Sequence, residues 1–496
     1  MNVGPTGGLP PGVNVLDQTS VETDVLVIGS GAGGATTAAI LAAAGFDVVI
    51  AEEGDWVEQG SVVPFSLDQM DRQYRAGGVT VALGFPSIAY TEGRCAGGGT
   101  EVNSGLYWRP PGELLERWQR DFRISDFAPD DLLAIADEVE QAINVRTVPG
   151  AHSAQSEVLR SGAARLGWRH GEVPRWMTYP HGDDPARGER QSMTRTYLPR
   201  ALESGARLLT RCRVDRLVMD GGRAVEAQTT LDDGRRGRIR FRDVIVCAGA
   251  IHTPALLQRS GIRGHIGRTL AVHPTVKLAA RFPDAINIPD DVPVHQVKEF
   301  TPHLSFGGSA SNPGLVALSL LDNWASFRRA VADWPRMSVY YAAITSEGTG
   351  RVISLPGMRD PLVTYRLTGR DKALLGSGLA RLALLMLEGG AEEVFPSFKG
   401  APSVTTRRDI GTLSRAFSAS KASVMTVHLC GTVPMGEVTE RCGADSYGRV
   451  HGCSNVRVND ASLLPTAPGV NPQASVMMFA IRNARHLAAL GSRRDH

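Results

Sequence analysis

The sequence has few cysteines, almost no net charge and no long apolar run, and each absence excludes a class of protein. The six cysteines among 496 residues show no C-x-x-C spacing, so we predict no metal site. The 53 basic and 51 acidic residues leave a net charge of +2, which predicts neither nucleic acid nor membrane as a partner. No apolar run reaches the ~18–20 residues that span a bilayer. We therefore expect a cytoplasmic protein with reduced thiols, in which Cys442 and Cys453 pair only under oxidising conditions.

The first 20 residues also lack the features of a secretory signal. This stretch has no Lys or Arg and no apolar core, and it is rich in Gly and Pro, so we predict an arm over residues 1–20. The rest has an ordinary globular composition, with 42% hydrophobic and 21% charged residues. A chain of this length predicts two or three structural units.

A dinucleotide-binding pattern follows the arm. The apolar run 24–28 is typical of a buried strand, and it leads into Gly29-Ser30-Gly31-Ala32-Gly33-Gly34, which has G-x-G-x-x-G spacing. Residues 35–44 are small helix formers, and 47–51 predict a second strand that ends at Glu52. The order of these elements is therefore that of a dinucleotide-binding unit: a strand, the glycines, a helix, a second strand and an acid.

Each position in this pattern has a physical role. Gly29 permits a tight turn, Gly31 lets the backbone approach a pyrophosphate at the helix N-terminus, and Gly34 allows close contact between helix and strand. Glu52 can accept hydrogen bonds from a ribose. Because FAD and NAD both contain ADP, this unit alone does not distinguish them.

A second glycine-rich segment occupies residues 93–110. Three consecutive glycines, 97–99, remove side chains from a stretch of backbone, which favours a flat ligand such as an isoalloxazine ring lying against it. The alternative is a flexible loop. Arg94, Asn103 and Trp108 nearby are residue types suited to ligand contacts.

Residues 93–109 resemble the first signature of the glucose-methanol-choline (GMC) oxidoreductases, especially the glucose oxidase and cholesterol oxidase branches. Residues 249–262 are similar to the second signature of that family, with Arg263 standing where the family usually has Gly. His428-Leu-Cys-Gly-Thr-Val-Pro-Met-Gly and the segment from Asp460 to Pro472 resemble its C-terminal blocks. The resemblance therefore extends over nearly the whole chain.

The resemblance implies noncovalent FAD, since no His stands in the loop 93–103. The motif glycines and the residues matched to the family give one set of predicted cofactor contacts: Gly29, Gly31, Ala32, Gly33, Gly34, Glu52, Arg94, Gly97, Gly98, Gly99, Asn103, Val214, Asp460, Ala461 and Pro472.

The resemblance also implies a catalytic pair, His428 and Asn471. Oxidation of an alcohol removes a proton from the hydroxyl and a hydride from the carbon, so the site needs a base near the oxygen and flavin N5 near the carbon. A neutral imidazole, with an ordinary pKa of about 6.5, can accept the proton, and the Asn471 amide can position the oxygen. Of the other histidines, His273 is expected to be structural.

The motif positions predict an α/β fold with two interleaved parts. A doubly wound Rossmann-type FAD domain takes residues 21–110, 190–275 and 425–496, and an α+β substrate domain on an antiparallel sheet takes residues 111–189 and 276–424. The predicted reaction is oxidation of a small-molecule alcohol, with oxygen or another compound as electron acceptor. Two alternatives stay open: a flavin-containing carbon–carbon lyase of the hydroxynitrile lyase type, and a nicotinamide-dependent dehydrogenase.

Overall fold

The structure is a computed structural model that describes residues 10–15, 20–180, 182, 188–288 and 291–492. Residues 1–9 and 16–19 of the predicted arm lie outside the described residues.

The strands of the described residues, in chain order, are β1 (Val13–Val15), β2 (Ser20–Ile28), β3 (Val48–Ala51), β4 (Thr80–Ala82), β5 (Ile88–Tyr90), β6 (Val145–Arg146), β7 (His170–Glu172), β8 (Arg175–Thr178), β9 (Glu189–Arg190), β10 (Arg207–Thr210), β11 (Cys212–Asp220), β12 (Arg223–Leu231), β13 (Arg236–Val246), β14 (Ala271–Val272), β15 (Thr275–Arg281), β16 (His295–Val297), β17 (Leu304–Ser309), β18 (Met337–Ile344), β19 (Thr349–Ile353), β20 (Leu362–Arg366), β21 (Glu393–Pro396), β22 (Val424–Thr426), β23 (Leu429–Cys430) and β24 (Val456–Val458).

The α-helices of the same residues are α1 (Ala32–Ala43), α2 (Leu67–Gln73), α3 (Gly99–Val102), α4 (Gly112–Phe122), α5 (Pro129–Ala142), α6 (Ala154–Leu166), α7 (Tyr197–Glu203), α8 (Gly249–Arg259), α9 (Pro313–Ser319), α10 (Trp324–Phe327), α11 (Gly369–Glu388), α12 (Asp409–Ala416) and α13 (Gln473–Ser492).

The first sheet carries the predicted dinucleotide-binding unit. In the described chain its strand order is β1-β10-β3-β2-β13-β12-β11, and β24 also pairs with β13. The pairs from β1 to β13 are parallel, whereas β11, β12 and β13 form an antiparallel extension. Residues 25–28 of β2 and the whole of β3 are buried because they are apolar on both faces, and α1 packs against α7 and α13. This is the predicted Rossmann-type arrangement.

The second sheet is mostly antiparallel. Its order in the described chain is β4-β5-β22-β15-β18-β17-β16-β7, with β21 also pairing with β15. One face of β15 and β18 packs on α11 through a separate apolar core that includes Leu278, Tyr340 and Leu379. The two sheets together confirm the predicted fold class.

Two stretches differ from the predicted boundaries. Strand β1 lies inside the predicted arm, but it pairs in parallel with β10 and Val13 is buried, so part of the arm belongs to the first sheet. Strands β4 and β5 lie in the segment predicted for the FAD domain, but they pair with each other, and β5 also pairs with β22 in the second sheet. Short strands of this kind show no long apolar period in the sequence, so pattern alone did not place them.

The six cysteines are free thiols, Cys442 and Cys453 among them. Within the described ranges, no grouping of His, Cys, Asp or Glu could hold a metal ion. No helix in the part of the chain that the structure describes combines the length and the apolar character needed to cross a bilayer.

The contact between β2 and α1 generates a first prediction. A Cβ on Gly34 would lie 1.9 Å from the Gly29 carbonyl oxygen, and backbone atoms cannot give way. We expect Gly34→Ala to destabilise the fold by about 2–3 kcal/mol or more, as overpacking does. Thermal unfolding of the purified protein measures this change.

Gly112→Ala is the matched control, because nothing lies within 4 Å of the position where its Cβ would stand. We expect the control to unfold at the wild-type temperature or slightly above it. Equal unfolding temperatures for Gly34→Ala and wild type would contradict the close contact.

Candidate active site

A cavity of about 560 Å³ is bordered by residues of both sheets. At one end lie the glycine motif after β2 and the acid after β3. At the other end lie polar side chains of β15 and β18 and the loop that carries Asn471. The cavity is continuous, so a ligand bound at the glycine motif can reach the second sheet.

The N-terminus of α1 faces the cavity with its amide groups unsatisfied by side chains. Gly31 is the N-cap residue, it makes no side-chain capping bond, and the first turn contains no acidic residue. Gly29, Gly31, Ala32 and Gly33 all border the cavity. An uncapped N-terminus of a 12-residue helix is suited to bind a phosphate group.

Glu52 borders the cavity at the end of β3 and is fixed by three hydrogen bonds. The backbone N–H and hydroxyl of Ser30 donate to Oε2 at 3.0 and 2.7 Å, and the N–H of Gly54 donates to Oε1 at 2.8 Å. Burial raises the pKa of this carboxyl, and the same hydrogen bonds oppose that rise. The carboxylate is therefore held rigidly beside the helix N-terminus.

The second glycine-rich segment crosses directly over the first. Gly98 has a φ of 54°, and a Cβ there would lie 3.0 Å from Cα of Gly31. Gly98, Gly99 and Asn103 border the cavity. Asn103 donates to Oε1 of Gln473 at 2.9 Å, which ties this segment to the start of α13. The predicted loop is thus a fixed wall of the cavity and starts the short helix α3.

Asp460 links the C-terminal block to the second signature. Its carboxylate accepts from the Gly249 N–H at 2.8 Å and from the Thr253 hydroxyl at 2.5 Å. Burial raises the pKa of Asp460. Three further predicted cofactor residues also border the cavity: Val214, Ala461 and Pro472.

Three of the predicted cofactor residues do not border the cavity. Gly34 contacts the turn at Gly29, and a Cβ on Gly97 would lie 2.1 Å from Oε1 of Glu101, so both glycines serve protein packing. The guanidinium of Arg94 points to Glu53 and Asp232, at 3.5 and 3.8 Å. The sequence pattern groups these residues with true cavity residues because they are neighbours in the chain.

His428 borders the cavity and its ring is held by a second histidine. The Gly469 N–H donates to Nε2 of His273 at 2.9 Å, so that nitrogen carries no proton. The remaining proton of a neutral His273 is on Nδ1, which lies 2.9 Å from Nδ1 of His428 and donates to it. This arrangement leaves the proton of a neutral His428 on Nε2.

Both histidines are neutral at neutral pH. Burial lowers the pKa of His428 to about 4, and the charge of Lys298 acts in the same direction. Burial also lowers the pKa of His273 well below its ordinary value, and the neighbouring His428 and Lys298 add to this. The Asn471 amide nitrogen lies 3.4 Å from Nε2 of His428. With the proton on Nε2 both nitrogens are donors, so they do not bond each other and both are left to donate to a ligand oxygen.

The wall opposite the glycine motif is a polar row across four strands. Strand register places Lys277 beside Tyr341, Tyr341 beside Gly307, and Gly307 beside Gln296. Gln296 donates to the Tyr341 hydroxyl at 3.0 Å and accepts from the indole N–H of Trp108 at 2.9 Å. The structure thus brings together residues that lie far apart in the sequence.

Sequence reasoning missed the contact of His273 with His428 and the position of Lys277 and Lys298 on the cavity. The prediction that His273 is structural did not anticipate its hydrogen bond to His428. Only the side-chain alternation of β15 and β18, once these strands are recognised, indicates that Thr275, Lys277 and Tyr341 share one face.

The histidine pair generates a second prediction, on proton positions. In ¹⁵N NMR spectra of histidine-labelled protein, we expect His428 as the Nε2–H tautomer and His273 as the Nδ1–H tautomer. Because burial disfavours the charged form, both should stay neutral from pH 8 down to about pH 5. A His428→Asn variant assigns the signals, and a proton on Nδ1 of His428 would contradict the network.

Known proteins resemble this chain in both sequence and fold. The family described as GMC oxidoreductase matches residues 70–275 with its N-terminal model and residues 350–480 with its C-terminal model. An uncharacterized GMC-type oxidoreductase of Sinorhizobium fredii is 39% identical over 493 residues, covering 97% of this chain and 98% of its own. A long-chain-alcohol oxidase of Arabidopsis thaliana is 26% identical over 94% of this chain and 67% of its own.

Among solved structures, pyridoxine 4-oxidase from Mesorbium loti aligns with a TM-score of 0.70 at 18% identity, over 94% of this chain and 99% of its own. An FAD-dependent oxidoreductase from Chaetomium thermophilum aligns with the same TM-score at 15% identity, over 95% of this chain and 100% of its own. At these identities the structures establish the fold, and the family models and the S. fredii relative establish kinship. The chain belongs to the GMC oxidoreductase family.

Proposed function

We propose that this enzyme binds FAD noncovalently and oxidises the CH–OH group of an alcohol. The observation that carries the proposal is the placement of His428 and Asn471 in the same cavity as an uncapped helix N-terminus and a fixed acid. The names of relatives support it, because they include long-chain-alcohol oxidases and a pyridoxine 4-oxidase.

The cavity residues fit the cofactor. Amides of α1 are free to bind the phosphates, Glu52 is fixed to accept from a ribose, and the Gly98–Gly99 backbone offers a wall without side chains. FAD, when bound, supplies the acceptor of the hydride. The residues of the chain must then bind the alcohol and handle its proton.

We assign the alcohol oxygen to the space between His428 and Asn471. As general base, His428 would accept the hydroxyl proton at Nε2, which requires its own proton to be on Nδ1. The resting arrangement has the opposite tautomer, so three changes must precede proton uptake: the Nε2 proton of His428 leaves to solvent, the Nδ1 proton of His273 passes to Nδ1 of His428, and His273 takes a proton from solvent at Nε2. The last change requires His273 to release the Gly469 N–H. At rest, the Nε2–H donates to the alcohol oxygen and orients it.

A third prediction tests the role of His428. We expect His428→Ala to retain FAD but to slow anaerobic flavin reduction by roughly 10²- to 10⁴-fold, the usual worth of a general base. The flavin absorbance during mixing with an alcohol measures this rate. His170→Ala, at an exposed histidine of β7, is the control and should reduce at the wild-type rate. Full activity of His428→Ala would remove the assignment.

The same anaerobic mixing experiment, carried out with a range of alcohols, distinguishes the alternative functions. A preparation without flavin absorbance would favour a nicotinamide-dependent dehydrogenase, and turnover without bleaching would favour a lyase. Admission of air after bleaching then identifies the acceptor, since immediate recolouring indicates oxygen and persistent bleaching indicates another compound.

A fourth prediction tests the cofactor site at Glu52. In Glu52→Gln, one amide N–H must face a backbone donor of Ser30 or Gly54, so that a buried donor loses its acceptor. We expect FAD affinity to fall about 10- to 100-fold, in line with the cost of an unsatisfied buried group. Titration by quenching of flavin fluorescence measures it. Glu58→Gln, at an exposed acid of the same segment, should bind as the wild type does, and equal affinities of all three proteins would contradict the role.

A further inference from the structure

Two lysines border the cavity on the side of the second sheet. Lys277 projects from β15 in the polar row, and its Nζ lies 3.2 Å from Oγ of Ser309. Lys298 follows β16, and its Nζ stands 5.0 Å from the centre of the Trp108 ring. Both side chains are only partly exposed, and the exposed part faces the cavity.

Neither lysine forms an ion pair with a carboxylate of the described residues. Burial alone lowers the pKa of each to about 8, with no acidic neighbour raising it. A pKa of about 8 leaves both mostly charged at neutral pH. Moving a cation out of water without an anionic partner costs free energy. Two such cations in one wall therefore indicate a ligand whose negative charge offsets this cost.

The acids that border the cavity are all engaged elsewhere. Glu52 is held by Ser30 and Gly54, and Asp460 by Gly249 and Thr253. The remaining two acids among the described lining residues belong to a separate cluster, in which Glu53 and Glu92 pair with Arg75. None of these carboxylates contacts a lysine of the second sheet.

The polar groups beside the lysines present donors to the cavity. Gln296 gives its amide N–H to the Tyr341 oxygen and takes the Trp108 N–H on its own oxygen. The Tyr341 hydroxyl proton has no acceptor in the described chain, so it remains available to a ligand. Lys277, Lys298 and Tyr341 therefore form a donor set that matches the several lone pairs of a carboxylate.

We infer that the substrate is an alcohol that also carries a carboxylate, with Lys277, Lys298 and Tyr341 binding the carboxylate while the hydroxyl lies at His428. This inference rests on the proposed alcohol oxidation and specifies its substrate class. Both lysines border the same cavity as His428, so one ligand can contact them together. Phe65, Leu106 and Leu315 supply an apolar wall for the body of the substrate.

The test compares matched alcohols that differ only in the acid group. The pairs are 4-(hydroxymethyl)benzoate with 4-methylbenzyl alcohol, and 6-hydroxyhexanoate with 1-hexanol. In the flavin-loaded wild type, we expect kcat/KM for anaerobic flavin reduction to be about 10-fold or more higher for the acid than for the neutral alcohol in at least one pair. Charge-assisted hydrogen bonds contribute free energy of this size. Equal values for the members of both pairs would overturn the inference.

Variants then assign the preference to the lysines. We expect Lys298→Met and Lys277→Met each to lower the acid-to-neutral ratio, the double variant to abolish it, and Lys298→Arg to restore part of it. Lys399→Met, at an exposed lysine, should keep the wild-type ratio. An acid-to-neutral ratio that stays at the wild-type value in the double variant would overturn the inference. Lysine variants that slow only the reoxidation of the flavin by air would overturn it too.

A binding measurement separates this inference from the proposed oxidation. Calorimetric titration with 4-methylbenzoate, which has no hydroxyl to oxidise, should show binding to the wild type that is at least about 10-fold weaker in the double variant. If no alcohol bleaches the flavin but this lysine-dependent binding persists, the oxidation is refuted and the anion site stands. If alcohols bleach the flavin and 4-methylbenzoate does not bind, the oxidation stands and the anion site is refuted.

Discussion

The closeness of β2, α1 and the segment before Asp460 is the constraint on which the site depends. A Cβ on Gly33 would lie 2.0 Å from the Asn459 carbonyl oxygen, and one on Gly34 would lie 1.9 Å from that of Gly29. Only glycine permits backbones to meet in this way. The contact fixes the N-terminus of α1 against Asp460, and the hydrogen bonds of Asp460 fix the start of α8 in turn. The end of the cavity at the glycine motif is therefore fixed by backbone contacts.

The end of the cavity at the second sheet is built from side chains rather than from backbone contacts. Its wall is a sheet face on which alternate residues of β15 and β18 point into the cavity, while the residues between them enter an apolar core. The strands set the spacing of the side chains along that face. The two ends meet at the histidine pair, where the backbone of Gly469 sets the proton positions.

The sequence was sufficient to predict the parts of the fold that depend on local pattern. The glycine motif, the acid at 52 and the glycines 97–99 follow from local pattern, whereas the two-part fold class and cavity residues such as Asn103 and Asp460 follow from resemblance. The polar row of the second sheet did not follow, because Lys277 and Gln296 become neighbours only through strand register. Gly34, Arg94 and Gly97 do not border the cavity, because proximity along the chain does not determine which way a residue faces.

The contact between α1 and the C-terminal block also bears on how the protein is made. Asn459 donates to the hydroxyl of Thr37 at 2.8 Å, across 422 positions of the chain. Helix α1 is translated long before the segment around Asn459 that it packs against. A nascent chain from which Asn459 has not yet emerged therefore lacks this support for the N-terminal half of α1.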